Sequence, residues 1–254
     1  MDITEKRQKA LDDFRENIAK SGFHTYVVTG GGRPHFGYTI GLTESLGAEL
    51  ILPGTNFYRL REVAPLIKSV IGKLSPPVAW DKVSVDTDSW GTFSFRAVHM
   101  SWAKNLMLGA FDYYQGKPIE AYQIVPDESH WTIDVPDLSQ PLGQTQAPGW
   151  RCWNEEWKYP VPKDSMALTD LTVLRGGRIA EVMRWEEDQW EIFSDAGPDI
   201  PESERRVIEL RVLLEADKSI LSAVDLKVET GFWRDPEPDS EWHPWRKRGD
   251  TGTV

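Results

Sequence analysis

Between residues 4 and 20 the apolar positions fall three and four apart. Leu11, Phe14 and Ile18 share one face of a charged stretch, which predicts a helix capped by Thr4 and ended by Gly22. The period then shortens to two. Residues 23–29 and 35–42 alternate and are rich in β-branched and aromatic side chains, so they read as paired strands, with a short third strand at 48–52. Asn56 is placed to cap a helix running to about Lys73, with Leu60, Val63, Ile67, Val70 and Ile71 facing inward. Strands at 78–85 and 91–98 follow, split by Asp86-Thr87-Asp88-Ser89. Ser101 then caps a helix carrying Leu106, Met107, Ala110 and Phe111 and closed by Gly116, and a strand at 120–125 ends at Pro126-Asp127.

From Pro136 to Gly149 the pattern lapses into Pro, Gly, Gln and Ser, the composition of a linker. Beyond it Ala167–Leu174 reads as a strand, Arg175-Gly176-Gly177-Arg178 as a hairpin turn and Ile179–Trp185 as the return strand. The acidic turn Glu186-Glu187-Asp188 leads to a third strand at Trp190–Phe193, completing an antiparallel meander. Glu202–Ala216 predicts a helix with Val207, Leu210 and Leu214 on one face. The fold class is therefore α+β in two domains, each a mainly antiparallel sheet with packed helices. The first spans residues 1–142, the linker 143–149 and the second 150–254.

Composition sharpens the division. The chain has 254 residues and a net charge of −11, with 40% hydrophobic and 27% charged residues, as in soluble globular proteins. Residues 1–148 hold 14 Lys and Arg against 17 Asp and Glu, a net of −3; residues 149–254 hold 15 against 23, a net of −8. Eight of the twelve tryptophans lie in that second, shorter part. Such acidity argues against a nucleic-acid partner and suits a basic protein partner. No apolar run approaches the roughly 18 residues that span a bilayer, no apolar leader is visible, and the single cysteine, Cys152, allows no internal disulfide. A cytoplasmic location without membrane contact is expected.

Little of the candidate chemistry has a specific spacing. Gly30-Gly31-Gly32 leads into Arg33-Pro34 and a strand, whereas a phosphate-binding loop must lead into a helix, so it reads as a hairpin tip. His24, His35, His99 and His130 lie in the first domain, but no metal-ligand spacing joins them; no cofactor and no metal are expected. Cys152, in Trp150-Arg151-Cys152-Trp153, reads as a packing thiol. Glu186-Glu187-Asp188 lacks the alternating oxygens and central glycine of a calcium loop. Trp185 and Trp190 flank that acidic turn, with Trp233, Trp242 and Trp245 further on.

Phe36-Gly37-Tyr38-Thr39-Ile40-Gly41-Leu42, Gly47-Ala48-Glu49-Leu50-Ile51 and Ala121-Tyr122-Gln123-Ile124-Val125-Pro126-Asp127 resemble the F-x-Y-T-I-G-L, G-x-P-E-L and Q-V-V-W-P-D motifs of a bacterial family of unknown function, the domain numbered forty-two sixty-two. The resemblance runs from about residue 8 to residue 142. The sequence departs from the family at Ala48, where proline is usual, and before Pro126, where tryptophan is usual. The family has no established activity, so the likeness implies a fold and no reaction. The second domain resembles small α+β modules of bacterial immunity proteins through Ser165–Asp170, Arg184-Trp185, Trp190-Glu191-Ile192-Phe193-Ser194 and Trp242-His243-Pro244. Such proteins neutralise a toxin by binding it.

The expectation is a non-enzymatic, immunity-type binding protein of unknown oligomeric state. It would block a basic protein partner such as a toxin through an acidic Trp-rich face of Trp185, Glu186, Glu187, Asp188 and Trp190. The rival expectation is an enzyme or small-ligand sensor with a pocket on the first hairpin. There His35 would act as acid or base, Tyr38 and Thr39 as hydrogen-bonding groups, and Glu49 or His99 would lie nearby.

Overall fold

The first helix, α1 (Ile3–Ser21), is followed by a hairpin of β1 (His24–Val28) and β2 (Phe36–Ile40), paired antiparallel from His24–Ile40 to Val28–Phe36. The computed structural model describes residues 2–30, 34–151, 155–235, 237 and 239–245. Gly31, Gly32 and Arg33 of the hairpin tip, with Cys152 and Trp153, therefore lie outside the described residues. A short α2 (Thr43–Leu46) leads to β3 (Glu49–Pro53), α3 (Leu60–Gly72), β4 (Val85–Asp86), β5 (Thr92–Ala97), α4 (Met100–Leu106), α5 (Leu108–Tyr113) and β6 (Ala121–Pro126). These build a six-stranded sheet of order β1-β2-β3-β6-β5-β4, with β3 and β6 parallel and the other pairs antiparallel.

β2 and β3 are buried at every position, because helices cover both faces. On one face α3 sets Val63, Leu66, Ile67 and Val70 against Leu50, Leu52, Phe93 and Ile124. On the other, α1 and α5 contact β1 and β2, with Phe14 edge-on to Tyr26 at 5.7 Å. Gly37 is where α3 comes closest. A Cβ there would meet Val63 Cγ1 at 2.8 Å and Ile67 Cδ1 at 3.0 Å.

The second unit holds β7 (Met166–Asp170), α6 (Leu171–Leu174), β8 (Glu181–Arg184), β9 (Gln189–Phe193), β10 (Arg205–Glu209), α7 (Leu210–Ala216), β11 (Thr230–Trp233) and β12 (His243–Pro244). Its sheet order is β10-β7-β9-β8-β11-β12, with β7 and β9 parallel and the remaining pairs antiparallel. The chain is thus α+β with two six-stranded sheets among the described residues. By contacts the first unit comprises residues 1–29, 35–131 and 135–146; the second comprises 30–34, 132–134 and 147–254.

Several elements differ from the sequence expectation. The predicted linker from Pro136 is tied into the first unit as far as Leu142. Gln123 donates to Pro136 O at 2.7 Å and accepts from Leu138 N at 3.0 Å, Trp102 donates to Gln140 O, and Leu138 is fully buried. The helix expected from Asn56 starts at Leu60, capped by a reciprocal pair of Arg59 and Glu62, and this puts Leu60 outside. Of the strand predicted at 78–85 only Val85 pairs. His99, not Ser101, caps α4, and the predicted single helix is interrupted at Met107.

The predicted meander also fails at its first turn. Asp170 Oδ1 accepts from Thr172 N and Val173 N, which turns the chain into α6, so β7 never folds back onto β8. Residues 205–209, expected as helix, form a strand because β7 offers them a partner; Val207 is then left exposed.

Gly37→Ala is expected to lower the unfolding free energy by about 1–3 kcal/mol, because the added methyl overpacks the α3 contact. Urea unfolding checks this, and an unchanged midpoint contradicts the close approach of α3.

Candidate functional site

In the first unit a polar cluster surrounds Glu49, which is fully buried at the start of β3. Its Oε2 accepts from Thr39 Oγ1 at 2.6 Å. Its Oε1 accepts from Tyr114 Oη at 2.6 Å, Gly41 N at 3.0 Å, Thr43 Oγ1 at 3.0 Å and Thr43 N at 3.1 Å. Thr39 Oγ1 also accepts from Leu50 N at 2.8 Å, standing in for a ladder carbonyl where the β2–β3 pairing stops. Gly41 has φ 106°, and a Cβ there would lie 2.9 Å from Ile18. Burial and the neighbouring Glu49 carboxylate raise the Tyr114 hydroxyl above the usual phenol range. Such a carboxylate, fully supplied with donors, is built to hold a fold.

The other residues of the predicted hairpin pocket do not join it. Tyr38 Oη accepts from Gly109 N at 3.0 Å, and burial pushes its hydroxyl up. His99 is exposed and engaged with Ser101. His35 has a buried Nε2 with no hydrogen-bond partner among the described residues, and burial depresses the ring to about 4, so it stays neutral at ordinary pH. Among the described residues no hydrogen bond links His35 or His99 to Thr39 or Glu49. The structure therefore joins Thr39 to Glu49 and leaves His35, Tyr38 and His99 with separate surroundings.

The remaining histidines are likewise held singly. His24 Nδ1 lies 3.1 Å from Asn17 Nδ2. His130 Nδ1 lies 2.7 Å from Asp127 Oδ1, and its ring is parallel to Tyr58. Burial works to raise the Asp127 carboxyl, but hydrogen bonds from Ser129, His130 and Thr92 N outweigh it and hold the group well below the carboxylate range. Ser129 Oγ and Asp127 Oδ1 both meet His130 on Nδ1, at 2.9 and 2.7 Å. Among the described residues no group of three or more His, Cys, Asp or Glu is placed to hold a metal ion, and no helix is long and apolar enough to cross a membrane.

The acidic turn of the second unit has a different character. Glu186, Glu187 and Asp188 are exposed and take part in none of the ion pairs among the described residues. Together with Trp185, Pro162 and Val228 they line a shallow depression of about 550 Å³. Trp185 is 41% exposed and edge-on to Trp245 at 6.2 Å, whereas Trp190 is 2% exposed. Trp190 is thus corrected from a contact residue to a core residue: it pairs with Arg184 in the ladder, whose guanidinium lies 4.8 Å from the ring centre.

Arg184 is the residue that sequence reasoning missed. It donates to Glu186 O at 3.2 Å, Glu187 O at 2.7 Å and Leu226 O at 2.7 Å. It thereby fixes the turn's backbone and leaves the three carboxylates pointing to water. The Arg184-Trp185 pair before the acids was the available clue, but the carbonyls it reaches are set by the turn.

Two buried acids carry predictions. Glu49→Ala strands the donors of Thr39, Gly41, Thr43 and Tyr114, and is expected to cost about 3–5 kcal/mol in denaturant unfolding, with Glu49→Gln costing less. In the second unit burial, reinforced by Asp134, raises the Glu209 carboxyl from 4.5 to about 7. Between those values the folded chain holds a proton that the unfolded chain has released, so stability falls as pH rises across the window, by on the order of 2–4 kcal/mol. Thermal melts of Glu209→Gln from pH 5 to pH 8 are expected to lose that slope; an unaltered slope contradicts the assignment.

No curated protein and no solved structure matches the chain. Residues 17–131 match the family model described as a domain of unknown function, DUF4262, so the N-terminal half of the chain carries a domain of that family.

Proposed function

We propose that the second unit is a binding module for a basic polypeptide and that the protein acts as an immunity-type blocking factor without catalysis of its own. One observation carries this reading. The Trp185 ring is exposed in a depression walled by Glu186, Glu187 and Asp188, whose carboxylates have no ion pair among the described residues. The roles divide by chemistry. The carboxylates steer a cationic partner and select its sign, and the indole supplies the desolvated anchor. Arg184 holds the turn in place beforehand, which lowers the ordering cost of association.

The test is a pull-down from bacterial lysate with full-length protein at low and raised salt, followed by direct binding measurements with the purified recovered protein. A basic protein held at low salt and released by salt is expected. Glu186→Ala, Glu187→Ala and Asp188→Ala combined should weaken it about tenfold or more, chiefly through the association rate. Trp185→Ala should cost about 2 kcal/mol, chiefly through dissociation. Equal affinity of the wild type and the triple variant rejects this face.

A further inference from the structure

Among the described residues the two sheets end in four edge strands, β1, β4, β10 and β12. An edge strand offers unpaired amides and carbonyls to any other strand, and proteins ordinarily blunt it by shortness, charge or proline. Three of these edges are blunted. β4 and β12 have two residues each, one holding Asp86 and the other Pro244. β10 carries Arg205 and Arg206, spends the Arg205 amide on Glu202 O and gives way at once to α7. β1 has none of these devices. It is five residues long and pairs with β2 in an unbroken register. From Ser21 to Gly30 the sequence contains no Asp, Glu, Lys, Arg or Pro.

The hydrogen-bond register settles which groups of β1 look outward. Gly54 N donates to His35 O, so the odd-numbered residues of β2 turn their amides and carbonyls towards β3. The even-numbered ones, Phe36, Tyr38 and Ile40, turn theirs towards β1, where they face Val28, Tyr26 and His24. Thr25 and Val27 therefore direct N–H and C=O away from the sheet, and neither amide has a hydrogen-bond partner among the described residues. Between them the Tyr26 ring is 40% exposed, held against Phe14 and Tyr38 on the α1 side.

A second copy of the chain is the occupant this edge suits. With a net charge of −11, copies repel one another over much of their surface, and an uncharged edge is where they can approach. Antiparallel self-pairing centred on Tyr26 uses every residue of β1. Each Thr25 then meets Val27 of the second copy as a hydrogen-bonded pair. Tyr26 meets its own counterpart across the two-fold axis as the closer, non-hydrogen-bonded pair, where aromatic rings reach one another. We propose that β1 is a homodimer interface, in which two copies join their first sheets into one continuous sheet by antiparallel β1–β1 pairing about Tyr26. Such a contact is isologous and closes on itself, and it is independent of the acidic face around Trp185.

The test is sedimentation equilibrium of the full-length chain. From about 1 to about 500 µM a reversible monomer–dimer equilibrium is expected, with micromolar affinity as suits a contact of one strand pair. Tyr26→Lys and Tyr26→Glu each set like charges opposite one another and should weaken dimerisation about tenfold or more, whereas an equal mixture of the two should restore it. Thr25→Pro removes an outward amide, spares the β1–β2 ladder and should weaken the dimer with an unchanged circular dichroism spectrum. Amide hydrogen exchange needs no variant: protection at Thr25 and Val27 should rise with protein concentration, while Tyr26 and Val28, already bonded to β2, stay as they are. The proposal is overturned if the wild type remains monomeric over that range, or if the charged variants dimerise as the wild type does. It is equally overturned if their mixture restores nothing, or if Thr25 and Val27 exchange alike in monomer and dimer.

Discussion

A buried acid that makes no ion pair among the described residues is the constraint around which the first unit is arranged. Glu49 is fully buried, and an acid in that position is tolerated only when donors replace the water it has lost. Thr39, Gly41, Thr43 and Tyr114 provide them. Meeting that demand draws together the end of β2, the start of α2, the start of β3 and the residue that follows α5. It also brings the chain at Gly41 so close to Ile18 that a side chain cannot be placed there. The second unit uses the same chemistry on its own parallel-paired strand. Asp170, also fully buried, gathers the amides of Thr172 and Val173 with one oxygen and that of Ser194 with the other. In both units a buried acid on a parallel-paired strand collects nearby backbone amides.

This arrangement separates architecture from recognition. Several of the residues on which the resemblance in the first half rests are occupied with internal hydrogen bonds. Thr39, Gly41 and Glu49 form one cluster, Gln123 holds the returning chain at Pro136 and Leu138, and Asp127 caps the turn that presents His130. A group committed to four or five internal partners has little left for a substrate. The carboxylates of the acidic turn in the second unit, by contrast, make no ion pair among the described residues.

How much of this was legible in the sequence differs from element to element. The β1–β2 hairpin, α3 and the β8–β9 hairpin are local: their periodicity, turns and caps lie within a few residues, and each formed close to where its pattern placed it. The stretches misread were those with two locally acceptable conformations. Residues 205–209 carry apolar positions that suit a helix, yet the open edge of β7 takes them as a strand, and Val207 faces solvent as a result. Pro136–Leu142 has the composition of a linker, and only the distant Gln123 and Trp102 make it part of a core.

The sequence by itself determined the fold class, the acidic bias of the second half and the turn that carries Glu186, Glu187 and Asp188. All three follow from periodicity, charge and short-range turn chemistry. Tertiary structure alone decided that Glu49 and Trp190 belong to the interior and that Arg211 and Lys158 line one cavity. Burial and long-range hydrogen bonding depend on partners tens of residues away, as Tyr114 is from Glu49. The same Glu or Trp in the same local pattern becomes core or surface according to which strand lies beside it.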